Sequence, residues 1–304
     1  MNEYKVSVII PTYNRSALLQ NTLNSLCNQT LSLNEFEVIV VDDGSNDLTY
    51  NVIKKYQNNL NLKYIFKKHD GFGVANSRNM GVDLSRGEIV IFLDCGMLCS
   101  RNYVQSHYFS HKKNPNSYIL GYVYGYDDYN ENKDIIKKYV NLKDIDFSIE
   151  KLEEMNVFDL REQYYKKYGT NLKKWKAPWV ICWTTDISIE RSIFVKYGGF
   201  DESYKTWGGE DTDLAIKLYL NNVQIILDKE IKSIHYPHEK AKVNMSKEEL
   251  KKSTIEKRKY MFRKYKLKEI STWIYVDSSM DLEYVLTKME KKEQCFKMTE
   301  YSYR

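Results

Sequence analysis

EFEVIVVDDGS, residues 35–45, is the stretch on which the fold turns. Four consecutive β-branched residues, Val38–Val41, run without polar interruption into two aspartates and a Gly-Ser turn. An uninterrupted apolar run of this kind predicts a strand buried on both faces, as in a parallel sheet. KVSVIIP (5–11) repeats the pattern upstream, and LKYIFKK (62–68) and GEIVIFLD (87–94) repeat it downstream. Between the first two strands, Leu18, Leu19, Leu23 and Leu26 fall on one helical face. A second helix runs toward Tyr56, with Asn46 or Asp47 as its cap. Gly71 and Gly73 break the loop before a third helix, which carries Arg78. The alternation predicts an α/β chain with crossover helices and a mostly parallel, Rossmann-like central sheet. In such sheets ligands lie beyond the carboxyl ends of the strands. There this chain places Thr12, Tyr13, Asn14 and Arg15, then Asp42 and Asp43, then Asp94.

The remainder reads less regularly. Ile119–Tyr126 is expected as a strand and Ile149–Tyr168 as one amphipathic helix. Residues 180–202 read as strand, short helix and glycine turn, and LAIKLYLNN as a helix. VQIILD (223–228) and IKSIHYPHEK (231–240) read as two strands, followed from about 245 by lysine-rich helix. The organisation expected is a nucleotide-binding half over 1–100, an acceptor-binding and catalytic half over 101–244, and a basic helical extension over 245–304.

Composition narrows the function. With 304 residues, 42% hydrophobic and 29% charged, the chain is a globule able to bury a core without disulfides. Its 5 cysteines show no metal-site spacing and are expected as free thiols. The net charge of +5 is uneven: 251–268 holds nine Lys or Arg against one Glu, a local +8 over a remainder of −3. On charge alone that helix is either a solvated face, the larger share, or a contact to nucleic acid, anionic lipid, an acidic acceptor or another subunit. No apolar run approaches the roughly 20 residues of a membrane span. A cytoplasmic location is expected, with peripheral attachment at the inner face of the membrane left open.

Neither GxGxxG after the first strand nor GxxxxGK[ST] is present, so dinucleotide and P-loop sites are excluded. Trp207-Gly208-Gly209-Glu210-Asp211-Thr212-Asp213 is the sharpest local signal. Helix capping and the helix dipole account for one of its three acids. A carboxylate fixed at a helix start beside an aromatic ring suits general-base work on a hydroxyl lying over the ring. His235 and His238, with Asp94, are equally a divalent-metal set or two surface histidines.

VSVIIPTYNR, VIVVDDGSNDLT, GVANSRNMGV, IVIFLDCG, GGFDE and WGGEDTDLAIKL, in this order, resemble the family 2 glycosyltransferases of the GT-A fold over about residues 4–240. The later motifs are similar to the carboxyl-terminal part of the β-1,4-galactosyltransferases and polypeptide N-acetylgalactosaminyltransferases. The resemblance implies an inverting transfer of a hexose or N-acetylhexosamine from a UDP-sugar to an acceptor hydroxyl. Thr12 to Arg15, Asp42, Asp43, Arg78 and Asp94 would hold the donor. Trp207, Gly208 and Gly209 would face the acceptor, Asp211 would be the base, and Glu210 would support it. It also implies Mn2+ or Mg2+ on Asp94 and one of His235 and His238, weakened because Gly96 stands where D-x-D has its second acid. Acceptors open to such an enzyme are a glycan, a lipid-linked sugar, a peptide or a small molecule, with no role for nucleic acid. A polysaccharide or glycolipid transferase at the membrane surface is the runner-up, and a non-catalytic nucleotide-sugar-binding or scaffold subunit the third reading.

Overall fold

A computed structural model describes residues 3–127, 131–238 and 246–302. In chain order the elements are β1 (Tyr4–Thr12), α1 (Ser16–Leu26), β2 (Phe36–Asp42), α2 (Thr49–Tyr56), β3 (Leu62–Phe66), α3 (Val74–Asp83), β4 (Gly87–Leu93), β5 (Met97–Cys99) and α4 (Tyr103–Lys113). β6 (Ser117–Tyr124), α5 (Lys133–Tyr139), α6 (Ile145–Glu154), α7 (Glu162–Tyr168), β7 (Asp186–Glu190), α8 (Arg191–Lys196), α9 (Glu210–Leu220) and β8 (Gln224–His235) complete the sheet and its cover. α10 (Lys247–Tyr265), α11 (Lys268–Trp273) and α12 (Leu282–Ser302) follow.

All eight strands join one sheet in the order β3-β2-β1-β4-β7-β6-β8-β5. The first four strands are parallel, as expected. Beyond β4 the sheet is mixed: β7 runs antiparallel to β4 and β6, while β6 and β8 are parallel. The period-2 rule explains the two cores. Val6, Val8 and Ile10 pack with Leu19, Leu23 and Leu26 on one face of β1, and Ile9 packs toward Ala75 and Val82 on the other.

Two expectations are corrected. Ile149–Tyr168 is not one helix: α6 ends at Glu154, Asn156 takes a left-handed φ of 58°, and α7 starts at Glu162. Buried between them, Arg161 is clamped by Asp159, and its Nη2 also donates to the Gly121 carbonyl at 3.2 Å. The two strands expected over 223–240 are a single strand, β8, whose pairing with β6 shifts register between Leu120 and Tyr122. The acids at 228 and 230 lie within that strand rather than breaking it. The last two residues of the expected second strand, 239–240, and the boundary at 244–245 lie outside the described residues. Among the described residues no helix is long and apolar enough to cross a membrane.

Candidate active site

The loop after β1 is tied to the loop after β2 by side chains. Asn14, at φ 50°, donates its N–H to Ser45 Oγ at 2.8 Å and accepts from the Asn46 N–H at 2.8 Å. Ser16, which opens α1, donates its N–H to Asp47 Oδ2 at 2.9 Å, and Asp47 Oδ1 accepts from Thr49 at the start of α2. Asp47 therefore braces two helix starts, but the N-cap position of α2 is Leu48, not Asn46 or Asp47 as expected.

The acidic pair divides its work. Asp42 is buried, accepts from the Ser45 N–H at 2.8 Å and the Tyr64 hydroxyl at 2.7 Å, and lines a cavity with Ser45, Asp47, Tyr50, Tyr64 and Phe66. Asp43, also buried, is ion-paired to Lys67, with His69 Nδ1 3.2 Å from its Oδ2. The His69 ring stacks on Tyr13 with centroids 4.2 Å apart and planes within 5°. Gly44, at φ 83°, admits this approach: a Cβ there would lie 2.6 Å from the His69 backbone nitrogen. Sequence reading missed His69, and its only signal was a place in the glycine-broken loop.

Arg78, on α3, is buried at the centre of the site. Its Nη2 donates to Asp94 Oδ1 at 2.9 Å and its Nη1 to Glu210 Oε1 at 3.0 Å. The guanidinium also lies 5.3 Å from the centroid of the Phe200 ring. One rigid fork thus joins the end of β4 to the start of α9.

The three acids of WGGEDTD have three separate surroundings. Glu210 is buried against Arg78. Asp213 is fully buried and accepts from the Tyr204 hydroxyl at 3.2 Å, the Tyr265 hydroxyl at 2.8 Å and Lys264 Nζ at 2.8 Å. Asp211 is half-buried and accepts from the Thr212 N–H at 2.7 Å. Burial pushes its carboxyl up to about 7, and the neighbouring Glu210 charge adds to the rise, against the pull of the Thr212 N–H and Arg78. The turn before them is left-handed at both Gly208 (φ 82°) and Gly209 (φ 104°), and a Cβ on Gly209 would lie 2.8 Å from Tyr204 Cε1. Trp207 stands 40% exposed on this turn.

The two histidines lie side by side, their ring centroids 4.9 Å apart, but have different further neighbours. His235, at the end of β8, is buried edge-on to Tyr126, with ring centroids 5.1 Å apart. His238 is the one beside the β4 loop: its Nε2 lies 2.8 Å from Arg15 Nη1, and its Nδ1 lies 3.6 Å from where a Gly96 Cβ would stand. His238 Nδ1–H donates to the Tyr236 carbonyl at 3.1 Å, which leaves Nε2 as the accepting nitrogen. Among the described residues no three His, Cys, Asp or Glu side chains converge to hold a metal ion. The set expected from the sequence, Asp94 with one imidazole, supplies two protein ligands. That set fits a hard cation only where the substrate supplies further oxygens.

The basic helix is not a plain solvated face. On α10, Arg258 is buried and donates to the Trp273 and Val276 carbonyls at 2.7 and 2.6 Å, while Lys257 and Lys264 turn inward to the WGGEDTD segment.

The sequence matches the glycosyl transferase family 2 model over residues 7–198 and the model of the N-terminal domain of galactosyltransferase over 167–248. Validoxylamine A glucosyltransferase of Streptomyces hygroscopicus subsp. jinggangensis is 36% identical over 237 residues, 77% of this chain and 56% of the relative. The poly(ribitol-phosphate) beta-N-acetylglucosaminyltransferase TarP of Staphylococcus aureus is 40% identical over 119 residues, 38% of this chain and 36% of the relative. The chain spans about half the length of the glucosyltransferases it matches. Among solved structures, S. aureus TarS 1–349 in complex with UDP-GlcNAc superposes with a TM-score of 0.61 at 22% identity, over 84% of this chain and 65% of that one. Mannosyltransferase PcManGT from Pyrobaculum calidifontis, in complex with GDP-Man and Mn2+, gives 0.55 at 18% identity, over 85% and 64%. At these identities the likeness speaks to the fold alone, which is GT-A.

Proposed function

We propose a reaction for this chain from one premise: it belongs to glycosyl transferase family 2. The reaction is inverting transfer of a hexose or N-acetylhexosamine from a UDP-sugar to an acceptor hydroxyl, with Asp211 as general base. The observation that carries this reading is a half-buried carboxylate, raised toward neutrality, at the start of α9, four residues after the exposed Trp207 and next to Glu210, which shares Arg78 with Asp94. A base works best when its pKa lies near the working pH.

Tyr13, His69 and Asp43 form the base and ribose end of the donor site in this reading, and Arg15 lies at its diphosphate end. Trp207 receives the apolar face of the acceptor, whose hydroxyl gives its proton to Asp211 Oδ2 as the oxygen attacks the anomeric carbon from the face opposite the nucleotide. Glu210 and Asp94 keep Arg78 fixed, and Arg78 holds the two sides of the cleft at a set separation. Asp94 and His238 would hold a divalent cation, which would supply positive charge for the departing nucleotide, and binding at His238 Nε2 would displace the Arg15 N–H that this nitrogen accepts. His238 is preferred to His235 because it faces Arg15 and Gly96, whereas His235 is packed on Tyr126. The names of the solved neighbours, one with UDP-GlcNAc and one with GDP-Man and Mn2+, support a nucleotide-sugar and leave the sugar open.

Two results follow at the donor site. Asp43→Ala is expected to weaken UDP binding by about 1.5–3 kcal/mol, the range for a hydrogen bond to a charged group, and to lower the unfolding temperature because Lys67 loses its partner. Isothermal calorimetry reads it, and full affinity in the folded variant removes Asp43 from the site. Mn2+ is expected to raise donor turnover, and His238→Ala to shift the Mn2+ dependence more than His235→Ala. Equal Mn2+ curves for wild type and both variants exclude either histidine as a ligand.

A further inference from the structure

The Trp207–Gly209 turn is built from residues with little conformational preference of their own. Gly208 and Gly209 both take left-handed φ, and glycine loses the most backbone freedom on ordering. Something outside the turn has to hold its carbonyls, and that group comes from α10. Lys257 Nζ donates to the main-chain oxygen of Trp207 and, at 3.3 Å, to that of Thr206. Its stem lies alongside the turn, with Cδ 3.3 Å from where a Gly209 Cβ would stand. Two helical turns further on, Lys264 binds both oxygens of Asp213 at 3.1 and 2.8 Å, and also Asp201 at 2.6 Å. Residues seven apart share a helix face, so α10 grips both ends of WGGEDTD at once.

We propose that Lys257 is a positioning residue for sugar transfer: it fixes the Trp207–Gly209 main chain and, through it, the acceptor platform and Asp211. The inference rests on the reading of Asp211 as the base. Lys257 also contributes a positive charge facing the carboxylates of Glu210 and Asp211. The other groups facing Asp211 are Glu210 beside it, Arg78 from α3, Asp94 after β4, Tyr118 from β6 and Cys182 from the segment before β7. Among these Arg78 is the one other cation, and its fork is occupied by Asp94 and Glu210. Removing the Lys257 charge therefore makes Asp211 harder to ionise, and the acidic limb of the rate profile moves to higher pH. The donor loops, with Tyr13, Asp43 and His69, belong to the other side of the cleft and keep their affinity for UDP.

The test compares wild type, Lys257→Met, Lys257→Arg and Asp211→Asn in the full chain. Hydrolysis of UDP-glucose and of UDP-N-acetylglucosamine, UDP affinity by calorimetry, and amide hydrogen exchange over 206–212 are measured on each. For Lys257→Met, exchange in the turn is expected to quicken about tenfold, the effect of a local opening easier by one decade. Hydrolysis is expected to fall by as much as about 10²-fold, the cost of a small misplacement, with its acidic limb raised. UDP affinity stays within about twofold, and Lys257→Arg restores most of the rate. Should the Met variant fail to fold, Lys257→Gln keeps an N–H donor without the charge and replaces it. Unchanged exchange overturns the proposal, whatever the rates. Faster exchange with normal hydrolysis and an unmoved pH limb overturns it as well, leaving only a structural tether. Loss of hydrolysis in Asp211→Asn with a wild-type Lys257→Met sinks this inference and keeps the base. Normal hydrolysis in Asp211→Asn sinks the base reading, while exchange over 206–212 still decides whether Lys257 holds the turn.

Discussion

Asp211→Asn is expected to lower turnover by about 10²–10⁴-fold, the range for a positioned general base, with UDP affinity nearly unchanged. Asparagine keeps the size of the side chain and still accepts from the Thr212 N–H, but it takes up no proton at neutral pH. The same substitution carries a stability signature. The folded Asp211 carboxyl sits above its unfolded value, so the fold is favoured while the group is protonated, and that favourable contribution is lost as pH rises through about 7. The asparagine variant is always neutral there. Its unfolding temperature is expected to match wild type near pH 4 and to exceed it by a few degrees at pH 8. Scanning calorimetry across that range, paired with turnover at saturating donor, checks both halves. The wild-type rate, measured as kcat/KM, should rise through about pH 7 as the free enzyme's base ionises. Near-normal turnover in a folded Asp211→Asn protein removes the assignment. Loss of turnover in Glu210→Gln alone, with nucleotide binding kept, exchanges the two roles.

Much of this arrangement was legible before the fold was known. β1, β2 and β4 declared themselves because each is a short apolar run buried on both faces, the pattern least dependent on distant contacts, whereas β3 is a half-buried edge strand that was legible from its place in the alternation. The strand ends then placed Thr12–Arg15, Asp42, Asp43 and Asp94 at one edge of the sheet. What stayed hidden depended on contacts between residues far apart in the chain. Arg78 was expected to hold the donor, and nothing in the sequence marked its two carboxylate partners, which lie 16 and 132 residues away. The division between Asp42 and Asp43 needed Tyr64, which reaches one of them and not the other. The charge excess of 251–268 read as a solvated face or a contact to an outside partner, whereas part of it answers the acids of 210–213 inside the same molecule. The counting clue was present: three carboxylates within four residues, and lysines seven apart on a helix able to meet them.

Arg78→Met is the substitution expected to cost most in stability. Glu210 is 4% exposed, and without the guanidinium its carboxylate is left buried beside Asp211 with no cation in contact. Breaking a buried pair by removing one partner typically costs about 3–5 kcal/mol, because the surviving charge is desolvated and uncompensated. Arg78→Lys is expected to recover little. A single ammonium cannot reproduce a planar fork that meets Asp94 at 2.9 Å and Glu210 at 3.0 Å on different nitrogens. The informative variant is the double one, Arg78→Met with Glu210→Gln. Neutralising the stranded carboxylate removes the main source of instability, so the double variant is expected to unfold at a higher temperature than Arg78→Met alone. Activity is expected to stay lost in both, since Asp94 is no longer held and the β4 end is no longer joined to the start of α9. Denaturant unfolding of wild type, both singles and the double gives the coupling energy as a closed cycle. A double variant no more stable than Arg78→Met would mean that the burial of Glu210 is not what makes the arginine necessary. Recovery of turnover along with stability would mean that the fork serves the fold alone, and the link between the two sides of the cleft would have to be sought elsewhere.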